Sequence, residues 1–237
     1  MKKKLGLLAS AAILSAVSAP AFSAEWSWNP YIGVDGGLRH LEFPQDLGGN
    51  IFDDNYPQGN LFAGFKFNDY FGVEAGFEYT KREKRTVTLV AGQFEAGGDA
   101  LQPGQFQVNR GTGRVQAWHV NLVGTLPLSD CYPISLFGMV GLASVKAKFS
   151  SQPLADDAFP GGFPAGFGMR TFEKTKSVLR LAGGLQYMVL DCVGIRGMVS
   201  WENTNRLKNI YSKESAISQI SLKNSTMYSF GIFYIFR

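Results

Sequence analysis

The sequence predicts an all-β fold, an eight-stranded antiparallel transmembrane β-barrel with short periplasmic turns and four long external loops. Three observations lead to this class. Eight segments alternate apolar with small or polar residues, and the connections between them alternate between short and long. Beyond the N-terminal segment, no run of 18 or more apolar residues could form a membrane-spanning helix.

The composition excludes several classes of protein. The chain has 237 residues, including 28 Gly, with 14% aromatic and 18% charged residues. A disordered chain would be poor in aromatic residues, and 2 Cys are too few for a disulfide-stapled miniprotein. The net charge of +4 includes Lys2, Lys3 and Lys4, and without them 20 basic residues face 19 acidic ones. We therefore expect no nucleic-acid partner.

The N-terminus has the pattern of a secretory signal peptide over residues 1–23. Three Lys precede the apolar run 5–17, and Ala21 and Ser23 supply the small residues that the peptidase requires. An uncleaved membrane anchor is the alternative, but the run is shorter than the ~20 residues of a spanning helix. We expect cleavage after Ser23 and a single exported barrel domain over residues 24–237.

Each predicted strand shows the period-two pattern and is close to the length that crosses a bilayer at a tilt. The segments are 31–41, 60–68, 71–80, 117–126, 135–142, 179–187, 195–201 and 228–236. Short turns follow at 68–69, 128–132 and 190–192, whereas the other connections run over 42–58, 81–114, 149–176 and 203–224. Because short turns on one side and long loops on the other are typical of outer-membrane barrels, we expect the cell outer membrane as the location.

The two faces of each strand differ in chemistry. A soluble ligand-binding barrel would turn its apolar face inward and its charges outward. Here the charged residues share a face with Gly, Ala and Ser, which suits a narrow lumen, while aromatic residues concentrate near the strand ends, as interfacial girdles do. The apolar faces are therefore predicted to meet lipid.

Several segments resemble the transmembrane barrel of OmpA-type outer-membrane proteins, a family that includes small opacity-like eight-stranded barrels. They are NLFAGFKFNDYFGVEAGFEY, RLAGGLQYMVLDCVGIRGMVSW and the ending MYSFGIFYIF. The resemblance implies a barrel in a Gram-negative outer membrane. It also implies that Glu74 and Arg196 match a lumenal Glu and Arg of an interior ion-pair network. Val123 and Gln186 depart from the family pattern, so we do not extend the resemblance to gating by exchange of ion-pair partners.

The inward parity of the strands predicts a larger lumenal ion-pair network, because a charge enclosed in eight strands is costly unless it is paired. Its predicted members are Asp35, Lys66, Glu74, Glu78, Arg180 and Arg196.

The two cysteines lie in different short turns, at the start of the fifth strand and the end of the sixth. Adjacent strands in an oxidising compartment bring Cys131 and Cys192 within reach of a disulfide. Closing a loop of about 60 residues would stabilise the fold by roughly 4 kcal/mol in the entropy model. Two free thiols are the alternative.

No residue pattern indicates a metal site, a cofactor or a catalytic centre. His40 and His119 are the only histidines, and neither has the spacing of metal ligands. A lipid A deacylase would need a nucleophilic Ser two residues after a His, but Asn121 stands there after His119. Inward parity instead predicts a lumenal hydrogen-bonding role for His119.

The external segments contain two candidate binding features. Basic residues gather at the loop bases, and Lys81, Arg82, Lys84 and Arg85 are candidate contacts to lipopolysaccharide phosphates, with solubility as the alternative role. Phe159, Phe163 and Phe167 form a candidate loop-binding surface, or else pack on the barrel rim.

These features predict a non-enzymatic outer-membrane barrel with a structural role in the envelope and loop-mediated surface interaction or adhesion. The expected partners are outer-membrane lipids and lipopolysaccharide, the barrel-assembly machinery and a host or extracellular ligand. A small-solute diffusion pore and a lipid A-modifying enzyme are the alternatives. Bulky inward residues such as Phe62 and Phe137 argue against an open channel.

Overall fold

The computed structural model describes residues 28–44, 51–93, 101–129, 133–164, 167–204, 207, 210–214 and 219–236. The predicted signal peptide and Cys131 lie outside the described residues. Eleven strands are found in this part of the chain. They are β1 (Asn29–Leu41), β2 (Asn55–Lys66), β3 (Phe71–Thr80), β4 (Glu83–Val90), β5 (Phe106–Pro127), β6 (Ile134–Asp156), β7 (Arg170–Met188), β8 (Val193–Glu202), β9 (Ile210–Tyr211), β10 (Gln219–Ile220) and β11 (Ser225–Ile235).

Eight of these strands close into an antiparallel ring in the order β1-β2-β3-β5-β6-β7-β8-β11. The ring closes where β11 pairs with β1, with Ile232 opposite Val34. Closure leaves no free sheet edge around the central part of the barrel, as a strand-built membrane protein requires. The prediction of an eight-stranded antiparallel barrel is confirmed.

The ring has a short-turn end and a long-loop end. At the short-turn end, Asn68 caps the connection between β2 and β3, because its side-chain oxygen accepts hydrogen bonds from the backbone N–H groups of Tyr70 and Phe71 at 2.9 and 2.7 Å. At the long-loop end the strands continue beyond the closed ring. Strand β4 follows β3 after a two-residue interruption and pairs only with β5 among the described strands.

Three strands are much longer than predicted. Strands β5, β6 and β7 have 22, 23 and 19 residues. The prediction of a loop over 149–176 is therefore wrong in its extent, because β6 runs on to Asp156 and β7 begins at Arg170. Together with β4, these strands form a sheet that projects from the long-loop end, here called the strand extension.

The outward face of the ring is apolar. On β1, Ile32, Val34 and Leu38 are exposed, while Asp35 and Arg39, on the opposite parity, are buried. The same holds on the other ring strands, where exposed apolar residues include Leu61, Trp118, Val120, Leu122, Leu142, Leu185, Phe230 and Ile232. A band of exposed apolar side chains around a closed barrel is the surface that lipid covers.

An apolar cluster, here called the apolar cap, fills the barrel at the long-loop end. It combines strand residues with residues from the first and fourth long connections. Its large members are Leu41, Ile51, Phe52, Tyr56, Leu89, Phe149, Phe172, Leu207, Ile210, Ile220 and Leu222. The ring of Phe149 lies 5.2 Å from that of Phe52 and 5.3 Å from that of Phe43. The cap is the hydrophobic core of the strand extension.

We predict that Phe149→Ala destabilises the barrel by about 3–5 kcal/mol, because Phe149 is fully buried and its removal leaves a cavity in the apolar cap. The free energy of unfolding in urea with phospholipid vesicles measures this loss. Phe159→Ala is the control, since Phe159 is 57% exposed, and we expect a change within about 0.5 kcal/mol. Equal losses for the two variants would contradict the role of the cap.

Candidate functional site

Four charged side chains from β1, β3, β7 and β8 meet in the lumen beneath the apolar cap. This upper charge cluster consists of Arg39, Glu78, Arg180 and Glu202, each exposed by no more than 2%. The guanidinium of Arg39 contacts Glu78 at 2.5 Å and Glu202 at 2.9 Å. That of Arg180 contacts the same two carboxylates at 2.6 and 3.3 Å. Two cations and two anions therefore alternate, and their charges cancel inside the barrel.

A second group, the lower charge cluster, lies nearer the short-turn end. Arg196 donates two hydrogen bonds to Asp35, at 3.0 and 2.6 Å, and contacts Glu74 at 2.6 Å. The hydroxyl of Tyr31 donates to Glu74 at 3.2 Å, and the Phe62 ring lies 3.5 Å from the Arg196 guanidinium carbon. Bidentate pairing and the aromatic face together hold one guanidinium across the lumen.

The aromatic rings of this cluster need glycine beside them. A Cβ at Gly33 would overlap the Phe62 ring, and a Cβ at Gly64 would overlap the Tyr31 ring. Gly33 and Gly64 occupy inward-facing positions of β1 and β2. Because neither has a side chain, the two aromatic rings can lie across the lumen.

Amide side chains connect the two charge clusters. Asn60 donates to Asp35 at 3.0 Å, and its side-chain oxygen lies 3.2 Å from His119 Nε2. The other ring nitrogen of His119 lies 2.9 Å from the Asn121 amide, and Glu78 lies 3.8 Å from the imidazole. The polar interior is therefore one continuous set of contacts from Asp35 to Glu202.

The structure brings five of the six predicted lumenal residues together. Asp35, Glu74 and Arg196 lie in the lower cluster, and Glu78 and Arg180 lie in the upper one. Lys66 lines a small cavity beside Glu74 and Arg196 at the short-turn end.

Sequence reasoning missed Arg39 and Glu202 as members of the network. Glu202 follows the predicted end of its strand at residue 201, yet it shares the parity of Arg196. Extending that strand by one residue would have placed Glu202 in the lumen, and the inward parity of Arg39 would have placed Arg39 there too.

Around the lower cluster, apolar side chains narrow the lumen. Tyr31, Phe62, Phe233 and Ile235 form one cluster, and Val123, Phe137, Met139 and Met198 form another. The cavity between them has a volume of about 20 Å³, which holds roughly one water molecule. In the part of the chain that the structure describes, these buried side chains fill much of the lumen at this level.

The fourth long connection is fixed to the strand extension by charge. Glu173 on β7 contacts Lys146 at 2.8 Å and Lys213 at 2.7 Å. Hydrogen bonds from the two lysines lower the pKa of Glu173 to about 2. Because the pKa of Glu173 is lower in the folded protein, its two ion pairs stabilise the fold at neutral pH, and this contribution is lost only as the pH falls towards about 2. Thr171 N–H also donates to Glu214 at 2.7 Å.

The four predicted lipopolysaccharide contacts do not share one orientation. Lys84 lies on the outward parity of β4, whereas Arg85 lies on the inward parity and donates to the carbonyl oxygen of Phe52 at 3.1 Å. Lys81 and Arg82 are exposed at the break between β3 and β4, and Lys81 lies 3.8 Å from Glu83.

Further basic residues share the outward parity of Lys84 on the strand extension. Arg114 stands directly opposite Lys148 in the register, and Lys146 stands opposite Gln116. Together, Lys84, Arg110, Arg114, Lys146 and Lys148 form what we call the outward basic face.

Three phenylalanine rings lie together at the end of the extension. The rings of Phe159 and Phe163 are 5.2 Å apart, and those of Phe163 and Phe167 are 4.7 Å apart with an interplanar angle of 15°. Phe159 and Phe167 are exposed and Phe163 is half-buried between them. This row of rings, here called the aromatic tip, stacks on itself.

Among the described residues, no helix is long and apolar enough to cross a membrane. Within the same ranges, no group of three or more His, Cys, Asp or Glu side chains is placed to hold a metal ion. Cys192 is half-buried at the short-turn end, and its pairing with Cys131 stays a prediction because Cys131 lies outside the described residues.

Residues 9–236 match the family model of the outer membrane protein beta-barrel domain. The chain belongs to this family. The family places the barrel in the outer membrane, with short turns towards the periplasm and long loops towards the cell exterior. The strand extension and the aromatic tip are therefore external. No curated protein shows significant sequence similarity to the chain.

Solved structures of other barrels of this kind are similar in fold. OprG of Pseudomonas aeruginosa is 13% identical, with a TM-score of 0.50 over 90% of this chain and 98% of that chain. Ail, the attachment invasion locus protein of Yersinia pestis, is 18% identical, with a TM-score of 0.49 over 89% and 99%. The outer membrane protease OmpT of Escherichia coli is 11% identical, with a TM-score of 0.45 over 89% and 97%. At these identities the likeness concerns the fold alone.

We predict that Glu78→Gln destabilises this barrel by about 3–5 kcal/mol, because it leaves the two buried guanidinium groups of Arg39 and Arg180 short of one counter-charge. Urea unfolding in vesicles, followed by heat-modifiable mobility, measures the change. Glu83→Gln is the matched control, since its ion pair with Lys81 is partly exposed to solvent and is worth at most about 1 kcal/mol. Similar stability of the two variants would refute the importance of the upper charge cluster.

Proposed function

We propose that this protein is a closed, non-enzymatic outer-membrane barrel that anchors an external strand extension for contact with other surfaces. The observation that carries the proposal is the filled lumen. The apolar cap, the two charge clusters and the cluster of Tyr31, Phe62, Phe233 and Ile235 occupy it along its length. A barrel whose interior is occupied by its own side chains acts through its outer surface and its loops.

A diffusion pore and a lipid A-modifying enzyme are less well supported. A pore would need a continuous aqueous path, whereas Phe62, Phe137 and Phe233 are buried inside the barrel. An enzyme would need an activated nucleophile near an accessible surface. Of the two histidines, His40 contacts Asn55, whereas His119 is buried in the lumen and contacts Asn60, Asn121 and Glu78.

Export and assembly are part of the proposal. We expect cleavage of the signal peptide after Ser23 and insertion of residues 24–237 by the barrel-assembly machinery. Strand β11 supports this expectation, because it presents Tyr228, Phe230, Ile232 and Tyr234 outward at alternate positions near the C-terminus.

We predict that the reconstituted protein gives no discrete conductance steps in planar bilayers. We also predict that cells lose their attachment to other surfaces when residues 158–169 are replaced by a short Gly-Ser turn. The replacement removes the exposed end of the extension and leaves the ring strands intact. Equal amounts of heat-modifiable protein in the two strains control for assembly. Ohmic conductance steps would favour the pore, and unchanged attachment would remove the adhesive role.

Lipopolysaccharide is the lipid partner that we propose for the outward basic face. Arg114 and Lys148 stand directly opposite each other, and like charges in that position destabilise a sheet. Glu173 stands opposite Lys148 on its other side, but its carboxylate already contacts Lys146 and Lys213. Arg114 and Lys148 both lie just above Trp118, which marks the outer edge of the apolar band. Phosphate groups at the membrane surface supply the matching charge, worth about 1 kcal/mol for each Lys or Arg.

We expect Arg114→Ala with Lys148→Ala to lower the thermal stability of the protein in lipopolysaccharide micelles but not in neutral detergent. Lys174→Ala with Lys176→Ala is the charge-matched control, because both lysines share the inward parity of β7. The midpoint of heat-induced unfolding in each medium is the measurement. Equal losses in both media, or from both double variants, would count against a specific phosphate contact.

A further inference from the structure

The aromatic tip lies in an unusually apolar stretch for a segment outside a membrane. Residues 158–169 read AFPGGFPAGFGM and contain no charged side chain. Asp157 precedes the stretch and Arg170 follows it. Monomeric soluble surfaces rarely present large contiguous apolar patches, and those that do are interaction sites.

Three large apolar side chains of this stretch are exposed. Phe159 and Phe167 are 57% and 53% exposed, and Met169 is 44% exposed. The ring stacking keeps Phe163 in line between its two neighbours. The tip is therefore a preformed apolar ridge, and its contact with a partner requires little additional ordering of side chains.

Much of the backbone around the tip is already hydrogen-bonded. The N–H groups of Gly162, Phe163 and Phe167 donate to the carbonyl oxygens of Phe159, Leu154 and Pro164, at 3.0, 2.6 and 3.0 Å respectively. The Asp156 carboxylate accepts from the N–H groups of Ala158 and Phe159 at 3.0 and 2.9 Å.

Pro160 and Pro164 have no N–H to satisfy. A lipid environment penalises backbone N–H and C=O groups that lack a hydrogen bond. The hydrogen bonds described above remove that penalty for the groups that form them. A protein partner would instead be expected to exploit free polar groups for specificity.

The tip lies far from the membrane that holds the barrel. Strand β6 continues for twelve residues from Ser144, opposite Trp118, to Asp156. At ~3.3 Å per residue and a tilt of ~40°, its end stands on the order of 30 Å above the apolar band. The tip cannot lie in its own bilayer, so an apolar phase that accepts it must belong to another surface.

We propose that the aromatic tip inserts into the interfacial region of an apposed lipid bilayer. This inference rests on the proposed function and names its partner class. The absence of charge in residues 158–169 means that the apolar side chains provide the binding free energy. Asp156 and Asp157 precede the tip and Arg170 follows it, so the flanking residues carry a net charge of −1, and a zwitterionic bilayer suits the tip better than an anionic one.

The test uses the full mature protein in nanodiscs mixed with separate phosphatidylcholine vesicles. We expect the protein to float with the vesicles. The triple variant Phe159→Ser, Phe163→Ser, Phe167→Ser should bind the vesicles at least about tenfold more weakly. The triple Phe→Leu variant at the same positions is the matched control and keeps binding, because it keeps the apolar surface. Absence of flotation by the unmodified protein, or equal flotation of the Ser variant, overturns the proposal.

A second measurement reports insertion itself. In Phe163→Trp, brominated lipid present only in the target vesicles quenches the new tryptophan if the tip enters the bilayer, whereas the tryptophans of the barrel wall remain in the nanodisc. Absence of this quenching overturns the proposal. If cell attachment requires the three phenylalanines but vesicles are not bound, the partner is a protein. The proposed function then stands and the bilayer inference falls.

Discussion

Seven charged side chains in the described part of the chain are enclosed by a ring of only eight strands, and the rest of the molecule depends on how they pair. Each buried ion would be very costly alone, so each finds a counter-charge across the lumen. Glu78 on β3 thereby joins Arg39 on β1 to Arg180 on β7, and Arg196 on β8 joins Asp35 to Glu74. These contacts tie together strands that are distant in sequence. They also occupy the space through which a solute would pass.

Because side chains fill the lumen, we expect the protein to contact its partners outside the ring. Above the charges, the first and fourth long connections fold inward and complete the apolar cap, with Ile51, Phe52, Leu207 and Leu222 almost fully buried. The cap gives β4, β5, β6 and β7 a core of their own beyond the membrane. A sheet with its own core is a stiff support, and it presents the outward basic face near the membrane and the aromatic tip at its far end.

Much of this arrangement could be predicted from local patterns, and the failures have physical causes. The loop prediction over 149–176 went wrong because the membrane signal depends on outward apolar residues, and the strand extension faces water with Lys146, Lys148 and Ser150 instead. Its inward face still alternates, with Ala147 and Phe149 buried. Similarly, the orientation of Arg85 depends on a carbonyl of the first long connection, which no local pattern around Arg85 reveals.

By itself, the sequence determined the eight membrane-crossing strands, their inner and outer faces, the membrane environment and most of the lumenal charges. Period-two alternation carries that information, because adjacent side chains of a strand point to opposite faces. Only the tertiary structure decided which charges pair, what fills the external mouth and how the three tip rings stack. Those features depend on ring closure, which brings Arg39 against Glu202 and Phe52 against Phe149 across long stretches of chain.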